Sequence, residues 1–476
     1  TGSRVALDSL INLGTAYLLA EWIVRLVMLG VAPLRRTPDA ARSWLLLVFF
    51  LPIPGLILFL LIGRPRFPPW RAARFASFAP ARDRVMEAMR HRALPDLSRR
   101  ETELSALANR VGAYPPVAGN RLEWLDDYDR TIGRLVADID AAKHQVHILV
   151  YIFADDETGR LVIDALLRAV HRGVTVRVLI DALGSRRWMK RTLRLLRNGG
   201  VDARQALPLR FLRDRTRGDM RNHRKLYLVD GHIGYAGSQN IVAKDFRPGI
   251  VNKELVVRIQ GPAVAAMGSI FQSDWFLETE ELLSDPPLPK EGDDGMVAQV
   301  LPSGADYPVE GFETLLVSQI NAARSRVIVT TPYLIPDAAL LNALRTAVLR
   351  GVEVHLIVSL VADQLLVSLA QRSYYDELLH IGVEIHRYRR FLLHAKHVSI
   401  DGRVAIVGSS NVDIRSFQLN AEVSILLYDA VEVAALEGIQ DGYINASDKV
   451  DPKTWQERPL SQKLMENWAR LISPLL

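Results

Sequence analysis

NHRKLYLVDGHIGYAGSQN (222–240) and LHAKHVSIDGRVAIVGSSN (393–411) share one spacing: His, one residue, Lys, four residues, Asp, six residues, Gly-Ser, one residue, Asn. The first copy supplies His223, Lys225, Asp230, Gly237, Ser238 and Asn240. The second supplies His394, Lys396, Asp401, Gly408, Ser409 and Asn411. A lone His-x-Lys says little, but six matching positions that recur in one chain are a strong signal. On a strand, residues two apart project from the same face, so each His and Lys can address one ligand. The Gly-Ser-x-Asn turn can add a hydroxyl, a carboxamide and backbone N–H groups at the same point. Lysine, asparagine and N–H groups are the donors that a phosphate oxygen needs.

Outward from these segments the chain repeats itself. VHILVYIF (146–153) leads through an amphipathic stretch to Arg172-Gly173-Val174 and TVRVLID (175–181). RVIVTTPYL (326–334) leads in the same way to Arg350-Gly351-Val352 and EVHLIVS (353–359). One strand-helix-strand pattern used twice predicts an α/β fold of two similar lobes, each with a mostly parallel, helix-covered sheet. SDPPLPKEGDDG (284–295) reads as the connection between them. The expected division is a membrane part at 1–66, a basic linker at 67–110, lobes at 111–283 and 297–476, and a linker at 284–296.

The N-terminal part is of another kind. Residues 43–63, SWLLLVFFLPIPGLILFLLIG, carry no charge and reach bilayer-spanning length, with Pro52, Pro54 and Gly55 inviting a kink or re-entrant shape. An earlier run, Ser9 to Leu34, carries Glu21 and Arg25, four apart and able to pair; it reads as a span or an interfacial helix. Ten arginines between Arg64 and Arg100 place the following lobes in the cytoplasm by the positive-inside tendency, and offer a surface to anionic lipids. The 476 residues are 49% hydrophobic with a net charge of +6. The basic balance favours an anionic partner. The absence of cysteine excludes disulfides, thiolate catalysis and thiolate metal sites.

The paired motifs resemble the HKD segments of the phospholipase D superfamily, whose two lobes pack so that both motifs form one site. TPYLIPD (331–337), RSYYDELL (372–379), SSNVDIRSFQLNAE (409–422), GPAVAAMGSIFQSDW (261–275) and the apolar N-terminus are similar to bacterial cardiolipin synthases. Asn252-Lys253-Glu254 departs from the family, which more often has Trp before an Asp at this point. The resemblance implies phosphatidyl transfer through a phosphatidyl-histidine. His223 would be the nucleophile, His394 the general acid and then base, and Glu254 and Glu422 their orienting partners, following them by 31 and 28 residues. Lys225, Lys396, Asn240 and Asn411 would hold the non-bridging oxygens, helped by Ser238 and Ser409. Asp230 and Asp401 belong to the catalytic motif in a supporting part, and Tyr333 and Arg415 match family positions near the substrate.

The substrates implied are phosphatidylglycerol as donor and acceptor, giving cardiolipin and glycerol, at the bacterial inner membrane with the lobes facing the cytoplasm. Phosphatidylethanolamine as donor, and a homodimer, stay open. No metal, cofactor or nucleic acid is expected, and the nine remaining histidines show no clustering in the sequence. The nearest rival is a membrane-bound phospholipase D that gives phosphatidic acid. A nuclease leaves the apolar N-terminus without a purpose, and a silent scaffold would not keep both motifs whole.

Overall fold

A computed structural model of the chain describes residues 2–63, 66–91, 96–209, 216–288, 295–307 and 309–472. The first lobe contributes β1 (Val117–Leu125), β2 (Gln145–Val150), β3 (Thr175–Asp181), β4 (Asp202–Ala206), β5 (Leu226–Val229), β6 (Ile233–Gly237), β7 (Asn252–Lys253) and β8 (Val256–Gln260). The second begins with β9 (Met296–Ser303), β10 (Arg326–Thr330), β11 (Leu334–Ile335), β12 (Glu353–Ser359), β13 (Glu384–Tyr388) and β14 (Leu392–Leu393). It ends with β15 (His397–Ile400), β16 (Val404–Gly408), β17 (Val412–Asp413), β18 (Glu422–Leu427) and β19 (Ser447–Lys449). Fifteen of these strands form one sheet, in the order β19-β13-β12-β10-β15-β16-β18-β9-β1-β8-β6-β5-β2-β3-β4. The order runs outward in matching steps from the β9–β1 contact, so the internal repeat is a repeat of the fold. The two lobes share their sheet.

Each half is mixed, not mostly parallel. β2, β3 and β4 pair parallel through helical crossovers, as do β10, β12 and β13. The motif segments instead fold as antiparallel hairpins, β5–β6 and β15–β16, and these bring β8 and β18 in antiparallel as well. The cause is local. Asp230-Gly231 and Asp401-Gly402 have φ of 52, 64, 54 and 63°, the successive left-handed pair of a two-residue hairpin turn. The glycine of each Gly-Ser is set by close approach: a Cβ on Gly237 or Gly408 would lie 2.4 or 2.2 Å from the carbonyl oxygen of Leu255 or Val423.

The helix Ala263–Thr279 is buried on nearly all its faces, and its core takes in strands of both lobes. It explains why 67–110 is no linker. Helices Pro69–Arg90 and Arg99–Arg110 occupy that stretch. Arg71, 1% exposed, binds Glu278 at 2.8 Å, and Arg84 meets Asp285 at 2.9 Å. Arg71 and Arg84 thus hold a helix onto the first lobe, and the buried Arg71 is not free for lipid headgroups. The expected linker at 284–296 lies partly outside the described residues.

At the N-terminus α1 (Gly2–Arg35), α2 (Pro38–Phe50) and α3 (Pro52–Ile62) pack around Met28, Ala32, Trp44, Val48 and Phe59. Glu21 and Arg25 pair at 3.2 Å. Within α1, Gly14–Arg35 is long and apolar enough to cross a membrane, and only 11% of it is buried. The run 43–63, expected as the main membrane segment, divides at Leu51, because Pro52 cannot continue the hydrogen-bond ladder. α2 and α3 are about 20 and 16 Å long, short of the ~30 Å core of a bilayer. They fold back on one another, with the Trp44 and Phe59 rings edge-on at 5.2 Å. One apolar helix of spanning length followed by a hairpin is an arrangement consistent with membrane anchoring. The hairpin is tied to the lobes at both ends: Ser43 Oγ donates to the Leu471 carbonyl at 3.2 Å, and Arg217 Nη2 to that of Ile62 at 2.6 Å.

Candidate active site

The two motif histidines face one cavity of about 260 Å³ between the lobes. Each is positioned by backbone from the other lobe. His223 N–H donates to the Ala421 carbonyl at 2.9 Å, and Ala421 N–H to that of Arg221 at 2.8 Å. Likewise β14 pairs with β7, and His394 N–H donates to the Lys253 carbonyl at 2.8 Å. The glutamates follow at once on those partner strands. Glu422 therefore meets His223 Nδ1 at 2.9 and 3.1 Å, and Glu254 meets His394 Nδ1 at 2.8 and 3.0 Å. The sequence reading, which measured each glutamate from the histidine of its own half, is corrected: the pairs are exchanged between lobes. Strand pairing across about 200 residues leaves no local trace, so spacing within a half points to the wrong partner.

The electrostatics suit a neutral, oriented imidazole. Burial pushes His223 below its ordinary pKa against the pull of Glu422, and pushes His394 down to about 4. Burial would raise both carboxyls, but the facing histidines and their hydrogen bonds outweigh it and hold Glu254 and Glu422 below the usual range. A carboxylate on Nδ1 fixes the N–H there and leaves Nε2 its lone pair. Lys225 Nζ donates to the His223 carbonyl at 2.7 Å, and Lys396 to that of His394. Burial takes Lys225 down to about 7 and Lys396 to about 8.

The other expected residues divide between cavity and support. Asn240, Asn411, Tyr333 and Arg415 line the cavity. Asn240 also accepts from Ile152 N–H at 3.0 Å, and Tyr333 donates to Asp363 at 2.7 Å with its ring 6.4 Å from that of His394. Ser238 and Ser409 are not among the residues that line the cavity. Ser409 Oγ donates to Glu422 at 2.5 Å, and Ser238 Oγ sits on the backbone of Leu255, so both are fully buried and act on the orienting carboxylates or their strands. Asp230 and Asp401 lie at the far ends of the hairpins, away from the cavity. Asp230 accepts from the N–H groups of Lys143, His144 and Gln145 at 2.7–2.9 Å, and Asp401 from those of Arg324, Ser325 and Arg326 at 2.8–3.1 Å. They fasten each motif hairpin to the start of β2 or β10 and touch no reacting group.

Several cavity residues escaped the sequence reading. Tyr151 packs edge-on against His223 with ring centres 4.9 Å apart, as Tyr333 does at His394. The repeat held the signal, since Tyr151 and Tyr333 follow β2 and β10, the corresponding strands of the two halves. Asn252 and Asn420 stand two residues before Glu254 and Glu422, an Asn-x-Glu used twice. Together with Asn411 each keeps a buried carboxamide oxygen without a protein hydrogen-bond partner. Arg221 lines the cavity and binds the fully buried Asp181 at 2.9 Å. The remaining histidines, expected to be unclustered, include one cluster: parallel pairing of β12 with β13 brings His355 and His386 together beside Glu384. It lies outside the cavity.

Comparison with known proteins agrees with this geometry. A family described as a cardiolipin synthase, PLD-like domain, matches residues 135–275 and 316–440. Cardiolipin synthase A of Erwinia tasmaniensis is 35% identical over 94% of this chain and 96% of its own length. The cardiolipin synthase A of Yersinia pseudotuberculosis is 34% identical, with 94% and 96% covered. Among solved structures, a phosphatidylserine synthase from Haemophilus influenzae superposes on 79% of this chain and all of its own with a TM-score of 0.61. At 15% identity that likeness speaks for the fold alone.

Proposed function

The chain belongs to the phospholipase D-like family of cardiolipin synthases, and from that premise we propose that it joins two phosphatidylglycerol molecules into cardiolipin, releasing glycerol. It is a phosphatidyltransferase; the donor, the acceptor and the part of each residue are the reading offered here. The observation that carries it is the pair of histidines in one cavity, each held at Nδ1 by a buried glutamate from the opposite lobe.

His223 Nε2 attacks the phosphorus of the first phosphatidylglycerol. The bond from phosphorus to the glycerol headgroup breaks, and His394, protonated once the anionic substrate is bound, gives its proton to the leaving oxygen. Phosphatidyl-His223 and glycerol result. Neutral His394 then takes the proton from a headgroup hydroxyl of the second phosphatidylglycerol, whose oxygen attacks phosphorus and displaces His223. Lys225, Lys396 and the asparagines supply positive charge and N–H groups where charge grows on the non-bridging oxygens. Because both histidines and both glutamates come from one chain, the site is complete without a second copy.

Transfer must outrun attack by water at about 55 M, and a cavity facing the bilayer favours the lipid. Arg217 binds the carbonyl of Ile62 at the end of the hairpin and the carboxylate of Asp219, whose carbonyl is held at 2.8 Å by Arg415 of the cavity. Gln364 and Val367 line the cavity, while Leu365 and Leu366 between them are 74% and 48% exposed. The mouth thus lies beside the apolar N-terminal segment with apolar side chains on its rim, which supports a site that opens toward lipid; on the proposal made here it sits at the bacterial inner membrane with the lobes cytoplasmic.

The purified enzyme given phosphatidylglycerol alone should form cardiolipin and glycerol in equal amounts. Phosphatidic acid as main product would make it a hydrolase. Activity that begins only when phosphatidylethanolamine is added would change the donor.

A further inference from the structure

His355, Glu384 and His386 converge on one point outside the catalytic cavity. β12 and β13 pair parallel with His355 opposite Glu384, and His386 is two residues farther along β13. All three side chains therefore leave the same face of the sheet. His355 Nδ1 is 3.2 Å from His386 Nε2 and 3.4 Å from Glu384 Oε2, and His386 Nε2 is 3.6 Å from that same oxygen.

That triangle has the size of a metal face. Zinc bonds of about 2.0–2.1 Å in tetrahedral geometry put ligand atoms about 3.3–3.4 Å apart. A hydrogen bond between the imidazoles explains the shortest edge only. It leaves one ring nitrogen presenting its lone pair to the carboxylate, a repulsion that a cation would remove. The supporting contacts also suit an ion. Glu384 Oε1 is taken by Lys449 at 2.7 Å, which turns Oε2 toward the histidines. His355 Nε2 is buried without a protein hydrogen-bond partner, and the Glu353 carboxylate is 3.9 Å away, the outer carboxylate often found behind a ligating histidine.

We propose that His355, Glu384 and His386 bind a divalent transition-metal ion, zinc by donor set and spacing, as a clamp between β12 and β13. With three protein ligands, a fourth position is left to water. None of the three lines the catalytic cavity, so the ion takes no part in phosphatidyl transfer. It secures the sheet near its edge, where β19 is only three residues long.

The full chain in detergent should be loaded with zinc chloride, desalted, and assayed for bound metal and thermal unfolding. The expected result is about one zinc per chain and an upward shift in Tm. Glu384→Gln and the double variant His355→Ala/His386→Ala should lose at least tenfold in zinc affinity and most of the Tm shift. Retained phosphatidyl transfer shows that the variants fold. Should they fail to fold, cobalt titration of the unaltered chain decides the matter: an intense visible band of tetrahedral cobalt supports the site, and its absence overturns it. Zinc no higher than the buffer level in the unaltered chain, or equal zinc in a folded double variant, would overturn it too.

Discussion

The carboxylate of Glu422 holds Nδ1 of His223 at 2.9 and 3.1 Å, although 199 residues and a change of lobe separate them. His394 and Glu254 mirror the arrangement over 140 residues. Each histidine is thus oriented by the lobe to which it does not belong, and substitutions in one lobe should be felt at the site histidine of the other.

This exchange can be read kinetically. Glu422→Gln leaves His223 with the wrong tautomer and should cost about 10²–10⁴ in kcat by blocking formation of the phosphatidyl-enzyme. Glu254→Gln acts on His394 and should slow both steps while still letting labelled intermediate collect on His223. Acid-quenched labelling with radioactive phosphatidylglycerol separates the two. If label collects in Glu422→Gln and never in Glu254→Gln, the roles of the histidines are reversed.

His223→Ala should remove turnover and labelling together. His394→Ala should remove turnover yet retain slow single labelling, because the nucleophile remains. Two single variants that each kept half of the activity would mean two independent sites.

The pH profile has a definite sign. Burial disfavours charged imidazole, so His223 stays neutral below the ordinary histidine value of about 6.5, and the acid limb of kcat/KM should lie below it. Burial equally disfavours charged lysine, so Lys225 and Lys396 lose their protons near 7 and 8 in the free enzyme; added to the falling share of protonated His394, this should make kcat/KM fall more steeply across that window. A bound phosphodiester anion raises both lysines, which moves the alkaline limb of kcat to higher pH. Initial rates at low and saturating lipid test this; a flat kcat/KM from pH 7 to 9 would contradict it.

The proposed membrane topology can be tested directly. If α1 crosses and the α2–α3 hairpin is re-entrant, with the lobes on the inner side as proposed, Gly14 is expected on the outer side. In this cysteine-free chain, Gly14→Cys should react with an impermeant thiol reagent in sealed cells and Lys453→Cys only after permeabilisation. Leu51→Cys, at the hairpin tip, should resist in both cases. External labelling at 453 would invert the orientation.

Asp230 and Asp401 should behave as fasteners. Replacing either by Ala frees three backbone N–H groups and puts a residue without a polar side chain at φ above 50°. A loss of about 1–2 kcal/mol in stability is expected, with kcat little changed once the protein is folded. Thermal unfolding compared with kcat at a permissive temperature checks it.

The sequence exposed what is local or repeated. Identical spacing gave both motifs, and the apolar runs of the repeated strand-helix-strand pattern gave β2 and β10. It could not expose pairings made over long separations. Glu254 and Glu422 were found but assigned to the wrong histidines, since β7–β14 and the Asn222–Ala421 bridge join distant segments. His355 and His386, 31 residues apart, meet only when β12 and β13 align. Arg71 reads as surface charge in the sequence, yet the helix at 69–90 docks on the first lobe and buries it.

The crossed backbone contacts at Ala421 and Lys253 also govern when reactivity begins. A chain emerging from the ribosome has made His223 long before it has made Glu422, and His394 meets Glu254 only after the lobes close. Until then each imidazole is free to rotate and to hold either tautomer, and the membrane around it is full of phosphodiesters. Competence to cut those bonds therefore arrives with completion of the fold, since neither lobe alone holds its histidine in the reactive tautomer.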